Sequence, residues 1–281
     1  MNPQQQEISD QQKASWNKFS GGWKKWDDLM MDFLKPVGNA IIQYVAPKNN
    51  DRILDVASGT GEPGLSMAAL IPDGKVVLTD LSPYMLEVAR EHATGKGLKN
   101  VDTQVCDVSH LPFPDHSFDA VSCRFGFMFF PDMLLAAQEM VRVLKPGGKI
   151  AASVWAGPEQ NFWVTAVGNV IYKHMHLSPP PPEAPGMFRC ATPGLLQQLF
   201  SQAGLKNVTE KEIAGHLNAG TAEVFWNMMT EVAAPFVAAL SKADEAMQKK
   251  IKEEAIQLVR DKYPDNKVSI ASLALLVCGE K

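Results

Sequence analysis

The sequence predicts an α/β protein: a seven-stranded, mostly parallel sheet with an antiparallel last strand, helices on both faces, N-terminal helices and an inserted helical cap. Three observations lead there. From Arg52 to Trp155, apolar β-branched runs alternate with helical patterns in steps of about twenty-five residues, the βαβ rhythm of a parallel sheet. The first run, Arg52-Ile53-Leu54-Asp55-Val56, ends in Ala57-Ser58-Gly59-Thr60-Gly61-Glu62-Pro63-Gly64, where small residues let a buried strand turn sharply and a ligand approach the backbone. The tail Ser269–Cys278 is an apolar run that reads as a last strand, and one arriving without a crossover helix beside it would have to run antiparallel to the rest.

In chain order, Trp16, Phe19, Trp23 and Trp26 are spaced along one helical face, with Gly21-Gly22 expected to divide the helix. The stripe reads as a helix packed on the core or as a lid whose aromatics meet a ligand. A second amphipathic run, Leu29–Val45, is interrupted by Pro36. Leu65–Ile71 reads as a helix and Lys75–Asp80 as a strand. Ser82-Pro83 starts a helix, with serine as its N-cap, and Val101–Cys106 is the third strand. Phe118–Cys123, Asp132–Leu144 and Lys149–Trp155 follow as strand, helix and strand, with a turn at Pro146-Gly147-Gly148.

Beyond Trp155 the rhythm breaks. A helix over about 160–175 runs into Pro179-Pro180-Pro181-Pro182, a polyproline spacer. Thr192-Pro193 is expected to cap a short helix before a strand from Lys206 to about Ile213. Gly-Leu-Lys-Asn-Val occurs at 97–101 and at 204–208, twice as a glycine after a helix followed by a strand. Thr221–Tyr263 reads as helical with a break at Pro235 and a charged, solvated second half. The division expected is 1–48 as an N-terminal helical cap, 49–156 as the core, 157–190 and 221–263 as substrate-side insertions, and 191–220 with 264–281 as the rest of the core sheet.

With 281 residues, a formal net charge of -4 and no basic stripe, the chain gives no electrostatic reason to expect nucleic acid. Cys106, Cys123, Cys190 and Cys278 lie far apart without a zinc-site spacing, so no metal is expected. The first ten residues are polar and resemble neither a signal peptide nor a membrane span, so a cytoplasmic protein without stable membrane insertion is expected. The partner is then a small molecule.

Doubly wound sheets bind ligands beyond the carboxyl ends of their strands. Asp55, Asp80 and Asp107 stand at three such ends, and Asp80 lies 21 residues after Gly59, near the spacing at which these folds place an acid on ribose hydroxyls. A pyrophosphate would dock at the helix start after the glycines, but Glu62 brings a carboxylate there and Pro63 removes an N–H. That disfavours a dinucleotide.

The segment Leu54-Asp55-Val56-Ala57-Ser58-Gly59-Thr60-Gly61 resembles motif I of class I S-adenosylmethionine (SAM)-dependent methyltransferases, which are Rossmann-like. Thr79-Asp80-Leu81-Ser82-Pro83-Tyr84-Met85-Leu86 resembles their acidic loop. The run Asp107–Asp115 with Ser117-Phe118-Asp119, then Phe125-Gly126, Phe130-Pro131-Asp132 and Glu139–Gly148, is similar to the ubiquinone/menaquinone C-methyltransferase-like group. The resemblance covers about Arg52 to Trp155 and implies SAM as cofactor. It implies that Asp55 and the backbone of Ala57, Ser58, Gly59, Thr60 and Gly61 hold the methionine part, and Asp80 the ribose. Leu81, Met85, Cys106, Asp107 and Val108 would surround the adenine, with Arg124 and Phe125 beside the methyl-donor pocket.

Met128-Phe129 stands where quinone methyltransferases usually carry Arg-Asn, and the stretches 157–190 and 221–263 are additions. Both weigh against a quinone as substrate. Trp23, Phe127, Met128, Trp163, Phe188 and Trp226 are the expected substrate contacts, and the substrate is expected to be small and fairly apolar. None of the six histidines is assigned as a base, and His92 and His216 look peripheral. A nicotinamide-dependent oxidoreductase and a non-catalytic SAM-binding module are the alternatives.

Overall fold

The computed structural model describes residues 2–178 and 181–281. Its centre is one sheet in the order β3-β2-β1-β4-β5-β7-β6. The strands are β1 (Arg52–Val56), β2 (Lys75–Asp80), β3 (Val101–Val105), β4 (Phe118–Arg124), β5 (Leu144–Trp155), β6 (Lys206–Gly220) and β7 (Val268–Glu280). The first five pair in parallel, and β7 alone runs antiparallel to its neighbours β5 and β6. The expected sheet is present, including its antiparallel last strand. Ile53, Leu54, Val76, Leu78 and Val121 are almost wholly buried, as strands covered by helices on both faces require. Strand order reverses between β1 and β4, which opens a crevice at their carboxyl ends.

Helices α1 (Pro3–Lys25) and α2 (Asp27–Val45) precede the sheet. Neither is divided as expected. α1 runs through Gly21-Gly22 because Gly22 packs against the backbone carbonyl of Glu231, where a Cβ would collide. That close approach offsets the roughly 1 kcal/mol each glycine costs in a helix. α2 runs through Pro36 because Met30, Phe33, Leu34, Val37, Ile41 and Val45 bury one face, in contact with β5 and β6. That burial outweighs a lost hydrogen bond.

Next come α3 (Gly64–Leu70), α4 (Pro83–Gly95) and α5 (Met133–Val143). Ser82 caps α4 by accepting from the Met85 N–H, and Asp132 caps α5 through the Leu135 N–H. Pro146-Gly147-Gly148 is not a turn but the irregular start of β5, with Gly147 and Gly148 paired to Lys281 beyond β7. Past the sheet's centre lie α6 (Phe162–Met175), α7 (Leu195–Gln202), α8 (Ala222–Val232), α9 (Ala234–Leu240) and α10 (Glu245–Lys262). Gly194, not Thr192, caps α7, its N–H donating to the Glu210 carboxylate. The helical stretch breaks beside Pro235 as expected, and again at 241–244. β6 is longer than expected, because its full length pairs with β7. Pro179 and Pro180 of the polyproline reading lie outside the described residues. Among the described residues no helix is long and apolar enough to cross a membrane.

Candidate cofactor and substrate site

A cavity of about 940 Å³ lies over the crevice. Its floor is the turn after β1, whose Gly59 and Gly61 adopt φ of +54° and +113°, conformations that side chains strain to reach. The turn closes on itself through Gly61 N–H to Ser58 O, and is tied to β2 through Ser58 N–H to Thr79 O, both 2.9 Å. Ala57 and Phe125 also take left-handed φ, at +53° and +63°, on the cavity wall. Such strain, roughly 1–3 kcal/mol per residue, gathers where a fold holds a ligand.

Every expected cofactor residue lines this cavity except two. Gly61 turns away toward Leu65. Asp55 is 0% exposed beneath the turn, where its carboxylate accepts from Ser122 Oγ at 2.6 Å and from the Gly64 N–H at 3.0 Å. Ser122 reaches it because the two are register partners on β1 and β4. Asp55 therefore braces the turn rather than touching what lies above it.

Asp80 sits at the carboxyl end of β2, accepting from the Gly59 N–H at 3.0 Å and the Ser82 N–H at 2.8 Å, with lone pairs to spare. Asp107 accepts from Ser109 N–H and Oγ and, at 2.5 Å, from Ser9 Oγ on α1. α1 thus crosses the cavity over the ends of β2 and β3. Burial pushes the Asp55 carboxyl up to about 7 and the Asp80 carboxyl up to about 6, the backbone donors opposing it in part. The Cys106 thiol is pushed up to about 12 by burial and then by the Asp107 charge. Burial would raise Glu62 too, but the Lys96 ammonium at 2.5 Å and the Ser66 N–H at 3.1 Å hold it below its ordinary value. Glu62 itself thereby occupies a donor of the first turn of α3, the place a pyrophosphate would use.

The raised Asp55 carboxyl has a testable consequence. An acid whose folded value lies above its unfolded one adds stability that is complete below pH 4 and is lost as pH rises through about 7. Asp55→Asn keeps an acceptor for Gly64, and the Ser122 hydroxyl can reverse its role. Urea unfolding should show wild type losing stability relative to Asp55→Asn between pH 5 and pH 8. A constant difference across that range would contradict the buried neutral acid.

Of the six expected substrate residues, Trp23, Met128, Trp163 and Phe188 line the cavity. Phe127 and Trp226 do not. Phe127 is 0% exposed and packs on Phe130 and Phe200, while Trp226 is 6% exposed in the packed face of α8. The aromatic stripe of α1 divides: Trp16 and Trp23 line the cavity and Phe19 is buried elsewhere. Phe125 stacks on Trp155 at 4.1 Å and 13°.

His92, which looked peripheral, does not line the cavity but touches the turn from outside it, with Nδ1 3.1 Å from Thr60 O and Nε2 3.7 Å from Asp27. Tyr172 and Arg189, which the sequence did not single out, line the cavity, as do Trp16 and Glu62. The three-and-four spacing of the α1 aromatics was the one signal available for Trp16. Arg189 stands in a stretch without periodicity.

Part of this chain is similar to known proteins. Residues 53–148 match the family described as a methyltransferase domain. The ubiquinone/menaquinone biosynthesis C-methyltransferase UbiE of Teredinibacter turnerae is 38% identical over 123 residues, 43% of this chain and 49% of that protein. UbiE of Bordetella parapertussis is 43% identical over 126 residues, 44% of this chain and 48% of that protein. This chain thus spans about half the length of the curated relatives it matches. The YcgJ protein of Bacillus subtilis shares the fold, with a TM-score of 0.59 at 21% identity over 87% of this chain and 97% of that one.

Proposed function

We propose that the protein is a SAM-dependent methyltransferase acting on a small, fairly apolar molecule. The observation that carries this reading is one cavity that gathers the glycine turn, Asp80, Asp107 and Arg124, within and beside the segment matching a methyltransferase domain. The residues fit the cofactor. The free lone pairs of Asp80 suit the two ribose hydroxyls, Leu81 and Met85 the adenine faces, and Cys106, Asp107 and Val108 its edge. The turn from Ala57 to Thr60 suits the amino-acid end. Among the described residues the Ser58 hydroxyl there is buried without a partner, and the Arg124 guanidinium donates only to Met31 Sδ, at 3.4 Å. Burial lowers the pKa of Arg124, and Asp55, Glu62 and Asp27 oppose that without forming an ion pair with it. A part-buried guanidinium without an oxygen acceptor among the described residues suits the methionine carboxylate.

When bound, SAM supplies a methyl group on a sulfonium, open to in-line displacement. The chain's part is to align the acceptor and exclude water, and alignment alone is worth about 7–11 kcal/mol in favourable cases. Phe125, Trp155, Trp163 and Phe129 form the apolar wall that does so. These apolar side chains position the acceptor, and no histidine stands among the described lining residues. Beside Phe125 and Phe129, the substrate half draws on α1, α6, α9 and the stretch 181–192, which lie outside residues 53–148.

The test is incubation with methyl-labelled SAM and fractionated metabolites, beside thermal melting with S-adenosylhomocysteine (SAH). Label appearing in a small molecule and a raised melting temperature are expected. Stabilisation by NADH and not by SAH would return the oxidoreductase reading, and SAH binding without any labelled product would leave a binding module. Arg124→Met should weaken SAH binding by roughly 10–100-fold while leaving 5′-methylthioadenosine, which lacks the amino-acid end, unchanged. Equal losses for both ligands in calorimetry would remove the carboxylate role.

A further inference from the structure

The cavity holds a second arginine with no counter-charge. Arg189, in the stretch between α6 and α7, lines the wall beside Met187 and Phe188. Its Nη1 donates to the Phe130 carbonyl at 2.5 Å, while Nε is closed off from solvent and donates to nothing. Nη2 has no protein acceptor among the described residues either. Nη2, which is not closed off as Nε is, is thus the unused donor that a ligand can reach. Burial lowers the pKa of Arg189, and Asp132 and Glu183 oppose this from a distance without pairing. Both oxygens of Asp132 are engaged, by the Leu135 N–H and by Gln5.

A second donor stands in the same condition. Trp23 Nε1 is buried and unpartnered. Trp23 meets Trp16 edge-on at 6.4 Å, and Trp16 meets Phe129 at 5.2 Å, next to the residue whose carbonyl holds Arg189. The described lining residues on this side include no carboxylate. The acids of the cavity, Glu62, Asp80 and Asp107, all stand on the side of the glycine turn. An unmatched buried donor costs roughly 1–3 kcal/mol, and an unpaired buried charge more, so the wall is built for an acceptor.

We propose that the methyl acceptor is an apolar, ring-bearing carboxylate whose anionic group docks on the free Nη2 of Arg189. A carboxylate oxygen accepts a charge-assisted hydrogen bond from Nη2, and the single cation suits a monoanion better than a phosphate dianion. The Trp16–Phe129 wall takes the apolar body. The proposal rests on the methyltransferase reading for what fills the other half of the cavity.

The probes are 3-phenylpropanoate and its neutral isostere 3-phenylpropanamide, titrated by calorimetry into the full chain, with and without saturating SAH. Wild type should bind the carboxylate at least roughly tenfold tighter than the amide. Arg189→Met should abolish that preference with SAH affinity unchanged, and Arg189→Lys should retain part of it. Equal affinity for the two probes in wild type, binding of neither, or a preference that survives in Arg189→Met would overturn the proposal. The wild-type comparison stands even if a variant fails to fold. SAH binding read in the same samples separates the two ideas: failure of SAH to bind defeats the cofactor assignment, whereas loss of the carboxylate preference alone defeats the Arg189 assignment.

Discussion

Replacing Asp80 with alanine should weaken SAH binding by roughly 100-fold, the scale of two charge-assisted hydrogen bonds. Two effects combine. The ribose loses its acceptor, and the Gly59 and Ser82 N–H groups, now 3.0 and 2.8 Å from the carboxylate, lose theirs, so the turn is no longer held for the ligand. Asp80→Asn keeps one acceptor and should lose less. Because burial has moved this carboxyl up to about 6 and hydroxyl donors favour its ionised form, wild-type affinity should also fall as pH drops through 6. Calorimetry at pH 7.5 and pH 5 reads both. Unchanged affinity in Asp80→Ala would contradict the ribose assignment outright.

Phe127→Ala should cost about 3–5 kcal/mol of stability, the range for emptying a buried aromatic site, and leave the ligand affinity of the folded protein unaltered. The residue lies in the 3-10 turn Phe127–Phe129. With three residues per turn, successive side chains leave the axis about 120° apart. Phe127 accordingly enters the core against Phe130 and Phe200, at 5.2 and 5.6 Å, while Met128 and Phe129 reach the cavity. Urea denaturation gives the first quantity and SAH titration the second. A loss of affinity without a loss of stability would reverse the assignment.

The same turn shows where reading a sequence stops. The strands, the glycine turn and the acids at strand ends were legible because each is a local pattern with a local cause. An apolar run must be buried, a tight turn needs glycine, and the residue after a parallel strand faces the crevice. Phe127 and Met128 are chemically alike and adjacent, so no local pattern separates core from cavity. Gly22 failed as a helix breaker for the opposite reason, since what keeps α1 whole is the backbone of a residue more than two hundred positions later. Asp55 carries the family motif yet lies under the turn, and the Arg189 and His92 contacts depend on partners that only the fold brings near.

The missing methyl at Gly22 also couples two distant pieces of chain. Lys25 Nζ and Trp26 Nε1 both reach the Glu231 carboxylate, at 2.8 and 2.9 Å, so three consecutive anchors tie the end of α1 to α8. Further back along the same helix, Ser9 holds Asp107 and Asn17 accepts from Ser82, over the half assigned to the cofactor. The helix that roofs the cavity is thus fastened at both ends, to Asp107 and Ser82 at one and to Glu231 at the other.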